Sequence, residues 1–257
     1  MSMDSPGGPL EGTESGYSAK QRCVNIAGLG VFLALTLRAA LELIELGRDV
    51  PGALGLALLA IVLALPAADF LSGLVHWAAD NWGSADWPFV GGFVGPFRHH
   101  HVEPEAMTQH GFLRRFGDNV VAALPTFWFA TLADGDAGWR VFAGVFWVAV
   151  AYWILATAQF HVWAHCHSPP RVARWLQRAG LILAPDHHAV HHQAPHASHY
   201  CITTGWCDGI LQRLRFFSSL ERLITFVTGA QPRHAAQELA STETPLPEGE
   251  IGPSEAA

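Results

Sequence analysis

The stretch from Gly52 to Val75 contains a single charged residue, Asp69. A bilayer core takes about 20 predominantly apolar residues per helix, so this run commits the chain to a membrane. The composition agrees: half of the 257 residues are hydrophobic and only 14% are charged, where ordinary soluble domains carry about 25%. Three further runs follow the same logic. Val24 to Leu46 holds Arg38, Glu42 and Glu45 in its second half, which snorkelling or pairing accommodates. Val120 to Leu132 is interrupted by Pro125, and Trp139 to Phe160 is long and aromatic. The polar turn Ala133 to Gly138 separates these last two, which read as a transmembrane hairpin. The expected fold is an all-α integral membrane protein with about four transmembrane helices and a cytoplasmic, histidine-rich metal-binding cap.

Four crossings put both termini, the loop from Ala78 to Asn119 and everything after His161 on one side. Twelve of the fifteen Lys and Arg residues then share that side, while Arg48 and Arg140 lie on the other and Arg38 within a span. Cytoplasmic loops carry the excess of Lys and Arg, so the expected location is a bacterial inner membrane with termini and histidines cytoplasmic. Residues 1–22 are rich in Gly, Ser and Pro and read as a disordered leader. Residues 23–230 form the membrane domain, and 231–257 read as a disordered acidic tail. Val172 to Leu183 and Ile210 to Val227 are expected as amphipathic helices, lying in the interface or facing the core. The net charge of −7 and the lack of a basic stripe give no sign of nucleic-acid binding. Cys23, Cys166, Cys201 and Cys207 form no C-x-x-C pair, so neither a disulfide framework nor a thiolate-rich metal site is expected.

Fourteen of the fifteen histidines lie between His76 and His199, and none falls inside an apolar run. They cluster at the mouths of the spans. His76 and Asp80 are four apart after the second run, as are His161 and His165 after the fourth. Residues four apart share a helix face. His188, His191 and His192 make an H-x-x-H-H expected to put three imidazoles on one face, and His100-His101 approach from a loop. Taken singly, His76 or the pair His161 and His165 reads equally well as interfacial histidines. Jointly, eight imidazoles on one side over-supply a zinc hydrolase, which needs three protein ligands and an open position. Two metals fit better, and nitrogen ligation suits iron, zinc or copper. Two irons at the mouth of a membrane bundle suit dioxygen activation for oxidation of a lipid chain. A non-enzymatic metal-binding module and a metal-dependent hydrolase are the competing readings. His99, His167 and His199 read as solvated or supporting residues, and His234 as an exposed tail residue.

The segments GLVHWAADNWGS, GPFRHHHVEP, QHGFLRRFGDN, HVWAH, LAPDHHAVHHQAPH and YCITTGWCD resemble the lipid desaturase family, which spans plasmanylethanolamine desaturases and, more distantly, plastid phosphatidylglycerol desaturases. The resemblance covers roughly residues 50 to 230. It implies a membrane-bound, iron-dependent, oxygen-using enzyme that forms the vinyl ether bond of a plasmalogen from an sn-1 alkyl ether phospholipid. An acyl-chain desaturase or hydroxylase with the same site is the alternative. The resemblance carries two iron ions, dioxygen as co-substrate and an electron donor of the cytochrome b5 or ferredoxin type. Carried over by position, the metal ligands are His76, His100, His101, His161, His165, His187, His188, His191, His192 and His196. Of these, His188, His191 and His192 are expected to be catalytic. Asp80, His110, Asn119 and Asp208 are expected to orient ligands or close the site.

Overall fold

The computed structural model describes residues 17–84, 87 and 91–235. Every regular element among them is helical: α1 (Ala19–Gly47), α2 (Ala53–Asn81), α3 (Gly91–His99), a 3₁₀ turn (Ala106–Gln109), α4 (Phe112–Thr131), α5 (Ala137–His165), α6 (Arg171–Arg178), α7 (Pro185–His191), α8 (Trp206–Arg213) and α9 (Phe216–Thr228).

Three helices, α1, α2 and α5, are long and apolar enough to cross a membrane. The third expected run is helical too, but α4 has 20 residues, with Arg114, Arg115 and Asp118 in its first two turns and Pro125 inside. Those charges shorten its apolar part below a full span. Among the described residues there are thus three clear candidate spans rather than the expected four, with α4 running beside them. The expected turn at 133–138 is present: Asp136 caps α5 by accepting a hydrogen bond from the Trp139 N–H at 2.9 Å.

The helices α1, α2, α4 and α5 form a bundle in which α1 and α4 run one way and α2 and α5 the other, with α5 packed on the other three. One end is defined by polar ties. Asp118 of α4 accepts from Gln21 (2.6 Å) and Asn25 (3.0 Å) of α1, and Arg115 donates to Gln159 of α5 at 3.2 Å. The start of α1, the start of α4 and the ends of α2 and α5 therefore share one end. The histidine-bearing turns of α2 and α5 are there. Asn119, expected to orient ligands, instead donates to the Ile154 carbonyl at 3.0 Å and ties α4 to α5.

The bundle is inverted relative to a water-soluble one. Leu37, Leu41, Leu54 and Val62 point outward, while Asn25, Asp69, His76, Asp80 and His161 are buried. Below the polar end, Phe32, Val120, Ala123, Phe127 and Ala151 make a dry core. There the Phe32 and Phe127 rings meet edge to face at 5.2 Å, a favoured aromatic geometry.

Several boundaries differ from expectation. α1 begins at Ala19, inside the segment read as leader, because Ser18 accepts from the Gln21 N–H and caps it. Residues 1–16 of that leader lie outside the described residues. The expected helix 172–183 ends at Arg178, where Gly180 turns with φ +66°. The expected helix 210–227 is two helices, broken at Arg215 with φ +51°. The break turns Phe216 and Phe217 onto α2, against Phe70 (5.6 Å) and Trp77 (5.5 Å). His234 is not a free tail residue. It is only 18% exposed and pairs with Glu221 at 3.2 Å, while Glu221 also accepts from the Trp77 indole at 2.8 Å. The rest of the expected tail, 236–257, lies outside the described residues.

Candidate metal centre

Helix spacing supplies the first donors. His161 and His165 occupy the last turns of α5, and His188 with His192 lie four apart along α7 and its cap. Pro185 opens α7, where its missing N–H costs nothing. With His100, just past α3, these residues form a group of five whose ligand atoms all lie within 4.8 Å of one another. A second group comprises His76 and Asp80 from α2, His101 and His191, within the same limit. The groups adjoin: the His76 and His161 rings are 6.0 Å apart, and those of His101 and His192 5.2 Å.

The Nε2 atoms face one another. His188 Nε2 lies 2.8 Å from that of His161, 2.9 Å from that of His165 and 3.1 Å from that of His192. One N–H proton satisfies only one such contact. Nitrogens bound to a shared cation at about 2.1 Å and at right angles would sit about 3 Å apart, so a metal ion accounts for the spacing. Unpartnered atoms point the same way. Among the described residues, His76 Nε2, His100 Nε2 and both oxygens of Asp80 are buried without a hydrogen-bond partner. Asp80 Oδ2 is 3.4 Å from His76 Nε2, 3.4 Å from His191 Nε2 and 3.7 Å from His101 Nε2. Buried polar groups left in this state are costly, and a cation between them removes the cost.

The opposite ring nitrogens are fixed from outside. His76 Nδ1 donates to the Tyr200 carbonyl at 3.0 Å, His191 Nδ1 to the Ser198 carbonyl at 2.8 Å and His100 Nδ1 to the Phe97 carbonyl. Such bonds set the tautomer that leaves Nε2 free for a metal. Burial, followed by the charges of neighbouring imidazoles, holds the pKa values of His100, His101 and His188 below that of free imidazole. The same causes hold His192 at about 3. Ligation requires the neutral ring, and these rings are neutral across the physiological range.

The expected residues separate in space. His76, His100, His101, His161, His165, His188, His191 and His192 all fall in the two groups. The H-x-x-H-H does not act as one face: His188 and His192 enter one group and His191 the other. Asp80, expected only to orient ligands, sits at ligand distance. His187 lies outside both groups, bonded to Asp208 Oδ2 at 2.7 Å, a contact that raises its pKa. His196 also lies outside. It stacks on His101 at 4.4 Å, and its Nδ1 donates to the His191 carbonyl at 3.0 Å. His110 ends the 3₁₀ turn, and its carbonyl accepts from Arg115 at 3.0 Å. Asp208 accepts from the Cys201 N–H at 3.1 Å. His99 is exposed, and His167 is exposed and paired with Glu105 at 2.8 Å. The Ser198 and Tyr200 carbonyls went unread in the sequence, since backbone groups leave no mark in residue types.

The lipid desaturase domain model matches residues 65–235. Over 220 residues the chain is 43% identical to a plasmanylethanolamine desaturase of Myxococcus xanthus, covering 85% of this chain and 77% of that protein. It is 40% identical over 189 residues to plasmanylethanolamine desaturase 1 of Mus musculus, covering 69% and 68%. It is 37% identical over 173 residues to the chloroplastic fatty acid desaturase 4 of Arabidopsis thaliana, covering 65% of this chain and about half (51%) of the plant protein. No solved structure matches. With its histidines gathered as described and two thirds of its length within the domain model, the chain belongs to the lipid desaturase family.

Proposed function

We propose that this protein is a plasmanylethanolamine desaturase, an oxidoreductase that forms the vinyl ether of a plasmalogen. The carrying observation is the convergence of eight imidazoles and one carboxylate at the ends of apolar helices in a member of this family. The donor set fits two iron ions. His100, His161, His165, His188 and His192 would hold one, and His76, Asp80, His101 and His191 the other. Bound there, iron supplies dioxygen activation for removal of hydrogen from an aliphatic carbon. The residues read as catalytic remain His188, His191 and His192. His187 and His196 are reassigned to supporting roles beside His110, Asn119 and Asp208.

The net reaction converts –O–CH2–CH2–R to –O–CH=CH–R. The substrate gives up two hydrogens, a donor supplies two electrons with two protons, and dioxygen leaves as two waters. The ether oxygen lone pair stabilises a radical on the adjacent carbon, so the first hydrogen is easier to remove there than in mid-chain. The protein's own residues keep water out and the imidazoles aimed: His76, His188 and His191 are almost wholly buried. His76 and His161 are the histidines closest to the apolar bodies of α2 and α5, where an alkyl chain lying along these helices would reach them.

The desaturase domain is read as residues 23–230; α4, short in apolar residues but running from the histidine end to the turn before α5, is read as the fourth crossing. The histidine end is read as facing the cytoplasm of a bacterial inner membrane. The excess of Lys and Arg at that end supports this orientation. An electron donor, cytochrome b5 or a ferredoxin, docks on that side.

Expression in a host that has alkyl ether lipid but no plasmalogen tests the reading. An acid-labile vinyl ether is expected, dependent on oxygen and iron. The plant relative's name favours a second reading, acyl-chain desaturation. Unsaturated acyl chains without vinyl ether would establish that reading and remove the first.

A further inference from the structure

Asp69 is the lone acid in the body of the α2 apolar run. It is fully buried and belongs to neither ligand group. Its Oδ1 accepts from the N–H groups of Thr203 (3.2 Å), Thr204 (2.7 Å) and Gly205 (3.0 Å), and its Oδ2 from that of Cys207 (3.0 Å). One turn further along α2, the Ser72 hydroxyl accepts from the Ile202 N–H at 3.0 Å. Gly73 lies flat against Cys201: a Cβ there would come within 2.5 Å of the Cys201 sulfur and 3.3 Å of its backbone nitrogen. Residues 200–207 are thus strapped onto α2 by a buried carboxyl group, a hydroxyl and a missing side chain. α5 supports the far side, where Thr157 and Thr203 share a hydrogen bond of 2.6 Å.

The start of this strap and the residue two positions before it orient two ligands. The Tyr200 carbonyl accepts from His76 and the Ser198 carbonyl from His191. Both imidazoles belong to the carboxylate-containing group. Among the described residues, no strap carbonyl bonds to any of the five imidazoles of the other group; His100, for example, is oriented by the Phe97 carbonyl. The two groups adjoin, yet only one has imidazoles bonded directly to these carbonyls; the strap's other tie in this direction is the Thr203 carbonyl, which accepts from the Leu183 N–H at 2.9 Å ahead of α7.

We infer that Asp69 is a positioning residue for one metal only. Through the strap it aims the Nε2 atoms of His76 and His191, and loosening the strap empties the carboxylate-containing group while the five-imidazole group keeps its ion. The inference rests on the two-metal reading. Removing the carboxyl group leaves three buried N–H donors and the part-buried one of Cys207 without their acceptor, a change costly enough to move the strap.

The test counts iron in purified full-length protein loaded with Fe(II), by elemental analysis and Mössbauer spectroscopy. Wild type holds two irons per chain. Asp69→Ala and Gly73→Ala act on the strap by unrelated means, one removing acceptors and the other wedging it off α2. Both are expected to hold one iron with the spectrum of the five-imidazole site, the second being bound about 10- to 100-fold more weakly. Asp69→Asn keeps an acceptor for three of the four amides and retains more of the second iron than Asp69→Ala. If Asp69→Ala does not fold, Gly73→Ala and Ser72→Ala carry the test. Two tightly held irons in the strap variants, or equal loss of both irons, overturns the inference. Fewer than two irons in wild type overturns the two-metal reading itself, and the inference with it.

Discussion

The two ligand groups are built by different means. In the group of five, four imidazoles come as i, i+4 pairs: His161 with His165 on α5, and His188 with His192 at α7. Helix geometry alone sets each pair side by side, and the pairs then meet Nε2 to Nε2. In the other group, His76 and Asp80 share α2, but His101 arrives from the turn after α3, and His191 from α7, three residues on from His188. The Tyr200 and Ser198 backbone carbonyls fix the rings of His76 and His191. One group also carries a carboxylate and the other none. If both groups hold iron as proposed, the two ions should differ in affinity and in what dislodges them.

The strongest way to break the comparison is to remove the hub of the larger group. His188→Ala is expected to lower vinyl ether formation by more than about 100-fold, beyond the 10–100-fold typical of residues that only orient ligands. It should also release one iron at unchanged protein level. Product analysis and metal counting on the same preparation check both points. Full activity in the variant would leave the five-imidazole group without a role.

The carboxylate offers the next largest effect. Asp80→Asn removes the single formal negative charge among the nine donors. Activity is expected to fall about 10- to 100-fold, with a changed spectrum for one iron and an unchanged one for the other. A shift in both signals would show that the groups do not behave separately.

Acid should reveal the burial of the rings outside the spans. His100, His101, His188 and His192 have folded-state pKa values below the ordinary value of about 6.5. Below pH 6.5 the unfolded chain therefore binds protons that the folded one refuses, and stability falls as pH falls. For metal-free protein, thermal unfolding in detergent is expected at least about 5 °C lower at pH 5 than at pH 7.5. The iron-loaded protein should lose less over the same range. A flat metal-free curve would contradict the buried, neutral state of these rings.

The smallest effects belong to histidines outside both groups. His196→Ala removes a ring stacked on His101 and should cost less than about 5-fold in activity, with both irons retained. His99→Ala, on the surface, should be silent within about 0.5 kcal/mol of stability. An iron lost on replacing His196 would move that residue into the ligand set.

Much of this was legible in the chain. The apolar runs located α1, α2 and α5, because crossing a bilayer demands a length of uncharged residues that little else requires. The i, i+4 pairs were legible because a helix has a fixed repeat, so eight histidines stood out from the rest. His187 and His196 were read as ligands from motif position, but side-chain direction separates them: one ring turns to Asp208 and the other stacks outside. The break at Arg215 also went unread, since only the aromatic contacts on α2 give a reason for it. Asp69 was visible as a lone acid in a span, without its partners.

The sequence by itself determined a helical membrane protein with histidines able to hold metal crowded at one end, since hydropathy and helical period are local properties. Tertiary structure alone decided how the imidazoles divide, that Asp80 stands among the donors, and that residues 198–207 hold two of the rings. Those outcomes depend on backbone carbonyls and amides, several of them brought to α2 from more than one hundred positions away, and backbone groups are identical at nearly every position in a chain.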